Sequence, residues 1–331
     1  MTNTSRHIAR VCAAAILIMI CAADTRAGTL EPSGINLGLT SFFDGFGGTE
    51  PGFAYLGYYT FEHLDHIVDA NGNDSPAFKN PNIDVFLMLN QLVYTTPVTL
   101  FDGNAHLGFT GLLPLLGYNT SFDQSSPVKL TSINGFGDLT LGAFLQFNPL
   151  KSGGRPVFSH RFEFDVIAPI GRYSATDNIT PSAHFWSIAP YWAATWLPTP
   201  KLELSVRLNY LYNFANNDPQ GVSSTVTSTQ AGQAAWANFT ASYEVLPKFN
   251  LGINGYYFKQ FTNDTFDYAD GTTDNGLAFG DSGKAMLLAI GPGAFWHVGK
   301  EDFLHFNVYF QADATNDARG AVFNIHWIHA F

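Results

Sequence analysis

The stretch "LELSVRLNYLYNF", Leu202 to Phe214, decides the fold. Every second residue, Leu202, Leu204, Val206, Leu208, Tyr210, Tyr212 and Phe214, is apolar or aromatic. Between them fall Glu203, Ser205, Arg207, Asn209, Leu211 and Asn213, mostly polar and carrying two opposite charges. A period of two over thirteen residues describes a β-strand with one oily and one wet face. Strands in soluble proteins usually run about five or six residues. A strand this long is matched to something thicker than an ordinary core.

The same alternation recurs along the chain. "RFEFDVIA" sets Phe162, Phe164, Val166 and Ala168 against Arg161, Glu163 and Asp165. "AAWANFTASYEV" sets Ala237, Phe239, Ala241, Tyr243 and Val245 against Trp236, Asn238, Thr240, Ser242 and Glu244. "FLHFNVYFQA" sets Leu304, Phe306, Val308 and Phe310 against His305, Asn307, Tyr309 and Gln311. Such patterning predicts twelve strands, at about 53–66, 82–96, 105–121, 136–148, 158–173, 184–197, 201–215, 233–246, 249–263, 284–298, 302–314 and 321–331. After strands six, eight and ten the connections are tiny ("PTP", "PK", "GKE"). After strands one, seven and nine they are long and polar, as in "ANNDPQGVSSTVTSTQAG".

Alternating short and long connections between long antiparallel strands are the mark of an up-and-down barrel in the bacterial outer membrane. An exported β-sandwich would also alternate, but it needs neither this strand length nor this loop asymmetry. Aromatics near strand ends, Tyr210, Tyr212, Phe214, Trp192, Trp196 and Trp327, suit interfacial girdles. A closed barrel also gives each backbone polar group a partner in lipid. The expected fold is therefore an all-β, antiparallel transmembrane β-barrel of about twelve strands. Its oily face points to lipid and its wet face to a lumen.

Composition agrees. Of 331 residues, 13% are charged and 15% aromatic, and 31 are Gly. After the N-terminus no run of eighteen apolar residues occurs, so no spanning helix is expected. The first residues, "MTNTSRHIARVCAAAILIMICAADTRAGT", have a basic start at Arg6 and Arg10, an apolar run from Val11 to Ala23, and small residues near Ala27. This is the pattern of a secretory signal peptide over residues 1–27. It contains both cysteines, Cys12 and Cys21. Its removal, taking three Arg and one Asp, leaves 13 basic against 26 acidic residues. That balance argues against a nucleic-acid partner and against an anion-selective pore.

The last strand ends "FNIHWIHAF". Phe323, Ile325, Trp327 and Phe331 share a face, and the terminal aromatic suits recognition by the outer-membrane assembly machinery. His329 falls on that same outward face, which fits an interfacial position better than hydrocarbon.

A twelve-stranded barrel lies between one filled by its own side chains and a wide water channel, so a narrow, partly obstructed lumen is expected. The inward parity of the strands nominates Arg161, Glu163, Asp165, Glu203, Arg207, Asn209, Trp236, Tyr256, Phe258, His305 and Tyr309 as lumen residues along a substrate pathway. The aromatics could stack, and the polar groups bond, a small aromatic solute. Equally, Arg161, Glu163, Asp165, Glu203 and Arg207 could form an ion-pair network that fills and stiffens the interior. Residues 28–52, rich in glycine and weakly periodic, read either as a plug folded into the lumen or as a loose lead-in to the barrel over 53–331.

Other motifs carry little. His63 and His66 in "FEHLDH" point to opposite sides of a strand, so a rim position is expected rather than a metal site. "DANGND", Asp69 to Asp74, lacks the glycine and terminal glutamate of a calcium loop. "GFGD", Gly135 to Asp138, is too short for a phosphate loop and reads as a strand bend. Neither a cofactor motif nor a nucleotide site is apparent, and no Ser–His pairing is forced by strand register, so an enzyme is not expected.

The segments "GFGDLTLGAFLQF", "FSHRFEFDVIAPIGRY", "WSIAPYWAATWLPTPKLELSVRLNYLYNF", "QAGQAAWANFTASYEVLPKFNLGINGYYFKQ" and "LAIGPGAFWHV" resemble the phenol meta-pathway degradation family, over about residues 130–331. The resemblance implies an outer-membrane transporter found beside aromatic-degradation genes, and supplies no catalytic residues. The function expected is passive uptake of small hydrophobic or aromatic compounds. A structural or adhesive barrel, or a lipid hydrolase, are the alternatives.

Overall fold

The computed structural model of the chain describes residues 34–219, 225–274 and 284–331. The expected signal peptide, with Cys12 and Cys21, and the first residues of the expected lead-in lie outside them. No helix among the described residues is long and apolar enough to cross a membrane; the chain crosses with strands.

In order these are β1 (Gly52–Ile67), β2 (Asn82–Leu100), β3 (Ala105–Ser121), β4 (Gly135–Phe136), β5 (Leu139–Phe147), β6 (Leu150–Ser152), β7 (Arg155–Ala168), β8 (Ser187–Ile188), β9 (Tyr191–Trp196), β10 (Leu202–Asn213), β11 (Val226–Gln230), β12 (Ala234–Leu246), β13 (Phe249–Gln260), β14 (Thr265–Tyr268), β15 (Thr273–Asp274), β16 (Met286–His297), β17 (Asp302–Thr315) and β18 (Ala318–Ala330). Every pairing between barrel strands is antiparallel, and the sheet closes on itself through β10–β12 and β1–β18. With β4 continuing into β5 and β8 into β9, it is a ring of twelve crossings. Register is set by the alternation: Leu202 pairs Tyr243, Val206 pairs Phe239 and Leu208 pairs Ala237, apolar against apolar on one face.

Exposure settles which face is which. Phe162, Phe164, Leu208, Leu251, Ile253, Ile290, Phe310 and Phe323 stand exposed around the outside. Glu203, Ser205, Asn209, Asn238, Asn254, Asn307 and Asn324 are buried within. A belt of exposed aliphatic and phenyl groups would be untenable in water at this extent, and it is the surface a bilayer demands. Aromatic rings mark its two edges. Trp186 and Phe214 stand exposed at the long-loop end, and Trp196, Tyr243 and Trp296 at the short-turn end.

Some strand boundaries differ from the sequence reading. The sixth crossing, expected over 184–197, breaks at Ala189–Pro190 into β8 and β9; the proline supplies no N–H to the ladder there. The fifth, expected to reach residue 173, stops at Ala168 before Pro169. Between β17 and β18 only Asn316 and Asp317 intervene, with Asn316 left-handed at φ 49°, so one connection at the long-loop end is as tight as those opposite. Two long connections have structure of their own. Strands β11, β14 and β15 form a small separate sheet.

The other motifs resolve simply. His63 Nδ1 meets Asp84 Oδ1 at 2.8 Å, and His66 Nδ1 meets Asp74 Oδ1 at 2.8 Å, each at the long-loop rim. In the Asp69–Asp74 turn, Asp69 Oδ1 accepts the N–H groups of Asn71 and Asn73. The "GFGD" stretch is the interruption between β4 and β5. His329 lies near the end of β18 on the outward face, its Nδ1 2.9 Å from Asp302 Oδ1, which also accepts Trp327 Nε1–H at 3.0 Å.

Candidate functional site

The interior is organised around residues 34–51, which run inside the barrel before entering β1. Asn36 accepts Trp236 Nε1–H at 2.7 Å on its carbonyl. Gly38 N–H donates to Asn238 Oδ1 at 3.2 Å, and its carbonyl accepts the Tyr309 hydroxyl at 2.8 Å. Ser41 contacts Asn307. Phe43 N–H donates to Glu203 Oε1 at 3.0 Å. Gly45 donates its N–H to Thr195 Oγ1 at 2.9 Å and accepts the Ser159 hydroxyl at 2.8 Å and Gln146 Nε2–H at 3.0 Å. An irregular segment leaves its peptide groups without ladder partners, and buried peptide groups need them. Inward side chains of six strands supply them: Gln146, Ser159, Thr195, Glu203, Trp236 with Asn238, and Tyr309.

The closeness of fit shows at two glycines. Gly38 is left-handed at φ +71°, and a Cβ there would lie 2.7 Å from the Tyr256 ring. A Cβ on Gly45 would lie 2.4 Å from both Ser159 O and Thr195 N, backbone atoms that cannot swing aside.

Charges concentrate beside this segment. Arg207 binds Asp44 in a two-pronged pair, Nε to Oδ2 at 2.8 Å and a terminal nitrogen to Oδ1 at 2.5 Å. The Arg207 guanidinium also lies 3.9 Å from the centre of the Tyr191 ring. Arg161 pairs with Glu163 and lies 3.6 Å over the Phe144 ring. Glu163 accepts the Tyr191 hydroxyl at 2.6 Å. Asp165 follows on the same face of β7. Glu203 makes no ion pair among the described residues; it accepts hydroxyls from Ser205 and Ser242 together with the Phe43 N–H.

Around the segment runs a cavity of about 950 Å³. It reaches from the short-turn rim, at Pro156, Lys201 and Lys248, up to Pro114, Asp138 and Ile167. Of the lumen residues read from the sequence, Arg161, Glu163, Asp165, Glu203, Arg207, Asn209, Trp236 and His305 line it. Tyr256, Phe258 and Tyr309 also point inward, but they are packed solid, at most 2% exposed, in a cluster with Leu211, Trp236 and Leu287. Tyr256 and Tyr309 hold the segment at Gly38, Phe258 packs on Trp236, and none of the three lines the cavity. The charged set is only in part the network that parity suggested: Arg207 is joined to Asp44, not to Glu203. Asp44, Tyr58, Tyr191 and His326 also line the cavity. Tyr58 and His326 fall on the inward parity of strands already legible. Asp44 lies in a stretch with no periodicity to show its direction.

The model of the family described as "Putative MetA-pathway of phenol degradation" matches residues 65–327. The chain belongs to this family. The match extends well before residue 130, where the sequence resemblance began. An outer membrane channel from Pseudomonas putida F1 shares the fold, with a TM-score of 0.68 at 18% identity, over 91% of this chain and 100% of that one. The transport unit of the autotransporter AIDA-I from Escherichia coli is matched less closely, at 0.48 and 10% identity, over 85% of this chain and 90% of that one. A mutant of the monoaromatic hydrocarbon channel TodX is matched at 0.43 and 10% identity, over 86% and 91%. Among curated proteins no sequence matches. Family and fold agree: this is a transmembrane β-barrel of the bacterial outer-membrane type.

Proposed function

We propose that the protein is an outer-membrane channel for passive uptake of small hydrophobic or aromatic compounds, seated in outer-membrane lipid. In this reading residues 34–51 are a plug that narrows the lumen, and Arg161, Glu163, Asp165, Glu203, Arg207, Asn209, Trp236 and His305 border the pathway. The observation that carries it is the cavity of about 950 Å³ beside that segment, open to the short-turn rim and walled by rings as well as charges. That volume is in the range of sites that enclose small organic ligands. Support also comes from the family's association with phenol degradation. The paired charges suit a passage that is not a general salt pore, because both arginines of the wall are already neutralised and stacked. Phe331, whose N–H bonds Phe53 O at 2.9 Å, would be read by the assembly machinery at the end of β18.

The test is uptake. Proteoliposomes are expected to take up a small phenolic faster than protein-free liposomes. Equal rates would overturn the transport reading and favour a structural barrel.

A further inference from the structure

Two histidines inside the barrel, on the adjacent strands β17 and β18, have no role in the contacts described so far. His305 and His326 pair directly in the β17–β18 register, and their ring centres are 4.6 Å apart. Both are 3% exposed, and among the described residues none of their four ring nitrogens has a hydrogen-bond partner. Neutral imidazole carries one donor and one acceptor, and buried polar groups are nearly always satisfied. Four nitrogens on two touching rings therefore hold hydrogen-bonding capacity that no described residue uses.

Its walls are aromatic. Tyr58 stacks on His326 with centres 4.0 Å apart and planes 10° apart, and Phe295 stands edge-on to His305 at 5.0 Å. The remaining side is closed by a ring from the N-terminal segment. Phe42 is 2% exposed, with its centre 6.0 Å from His305 and 6.2 Å from Phe295. All five rings line the cavity.

We propose that this box is the step at which the channel reads a hydroxylated aromatic solute, and that Phe42 occupies it as an internal substitute for the solute's ring. A phenyl ring satisfies the walls but offers the imidazoles nothing. A phenol satisfies both: its hydroxyl donates to one imidazole nitrogen and accepts from the N–H of the other. The solute's ring would then displace Phe42 and loosen the segment at that point. The proposal rests on the uptake reading, since an unvisited lumen would have no use for the site.

The test uses 4-fluorophenol and fluorobenzene, followed by 19F NMR on the full barrel in nanodiscs, with empty nanodiscs subtracted for partitioning. 4-Fluorophenol is expected to bind about tenfold or more tightly than fluorobenzene, the preference a gained buried hydrogen bond supports. The double variant His305→Phe with His326→Phe keeps the rings and removes the nitrogens. It is expected to lose the preference and bind the two probes about equally. Phe42→Ala is expected to tighten 4-fluorophenol several-fold. Retention of the slower gel migration of the boiled sample confirms that each variant is a folded barrel. Equal affinity for the two probes in the natural sequence, or a preference that survives in the double variant, overturns the proposal. If proteoliposomes still take up fluorobenzene in that case, the channel reading stands and only the hydroxyl site falls.

Discussion

Asp44 and Arg207 meet inside the barrel 163 residues apart in sequence, joined by two hydrogen bonds of 2.8 and 2.5 Å. Their side chains are 7% and 11% exposed. This pair is the strongest single tie between the N-terminal segment and the wall. Breaking a buried ion pair by removing one partner strands the other charge, at a cost of roughly 3 to 5 kcal/mol. Asp44→Asn is expected to free the segment near Phe43–Gly45 and raise single-channel conductance in planar bilayers. Adding Arg207→Gln should cost far less than the sum of the single changes, because no orphaned charge remains. Unchanged conductance in Asp44→Asn would show that the segment is held by its peptide hydrogen bonds alone.

The same segment can be perturbed without touching a charge. Gly45 lies against the backbones of β7 and β9, and an added methyl would meet Ser159 O and Thr195 N at 2.4 Å. Overpacking of this sort costs about 1 to 3 kcal/mol where neighbours can adjust. Here they are ladder atoms, so the segment itself must move. Gly45→Ala is expected to raise conductance as Asp44→Asn does, with the barrel's thermal midpoint nearly unchanged. Were the midpoint to fall while conductance stayed put, the strain would be in the wall and not in the segment.

How much of this was visible in sequence depends on what each residue answers to. Leu202 to Phe214 announces its two faces because lipid on one side and a polar interior on the other repeat at every second position. The inward direction of Arg161, Glu163, Trp236, Tyr256 and His305 follows from that parity alone. Parity does not say what an inward residue meets. Arg207 and Glu203 share a strand face and looked like candidates for one network, yet Arg207 is taken by Asp44 and Glu203 by Phe43 N–H and two serines. Residues 34–51 have no period, and their path is set by peptide groups finding Asn36–Trp236, Gly38–Tyr309 and Gly45–Ser159 partners far along the chain. Such pairings are tertiary and leave no local trace. The shortened fifth crossing and the broken sixth were exceptions, since Pro169 and Pro190 stood in the sequence to mark them.

Ion preference follows from the cavity wall. Asp44, Glu50, Asp138, Glu163, Asp165, Glu203 and Glu244 line it, against Arg161, Arg207, Lys201 and Lys248. Both arginines are neutralised, by Asp44 and Glu163, and near the rim Glu50 and Glu244 match Lys201 and Lys248, which leaves Asp138, Asp165 and Glu203 as the excess carboxyl groups of the wall. Low-dielectric walls strengthen such a field. Whatever salt leaks through is expected to be chiefly cation, read as the sign of the reversal potential across a bilayer in a KCl gradient. A chloride preference would mean that the conducting path avoids this wall.

The small sheet of β11, β14 and β15 gives a pH dependence that the barrel should not share. Asp267, on β14, accepts the Ser228 hydroxyl at 2.7 Å and the Thr273 hydroxyl at 2.7 Å, linking all three regions of the loop sheet. The Ser228 bond first, and the Thr273 bond second, hold its carboxyl below the usual carboxylate value. A lowered value means that the folded loop prefers the ionised form. Its contribution is full above the ordinary aspartate value of about 3.9 and is lost as pH falls through the lower folded value. The residue is only half-buried, so the effect is small and weakened by salt. Amide hydrogen exchange, corrected for intrinsic rates, is expected to show residues 226–230 and 265–268 losing protection on acidification while β10, β12 and β13 keep theirs. Asp267→Asn cannot ionise, so the same segments should be less protected at neutral pH and indifferent to acid. Protection that stays constant through acidification in the natural sequence would show that the backbone pairing of β11 with β14, and not the carboxylate, holds the loop together.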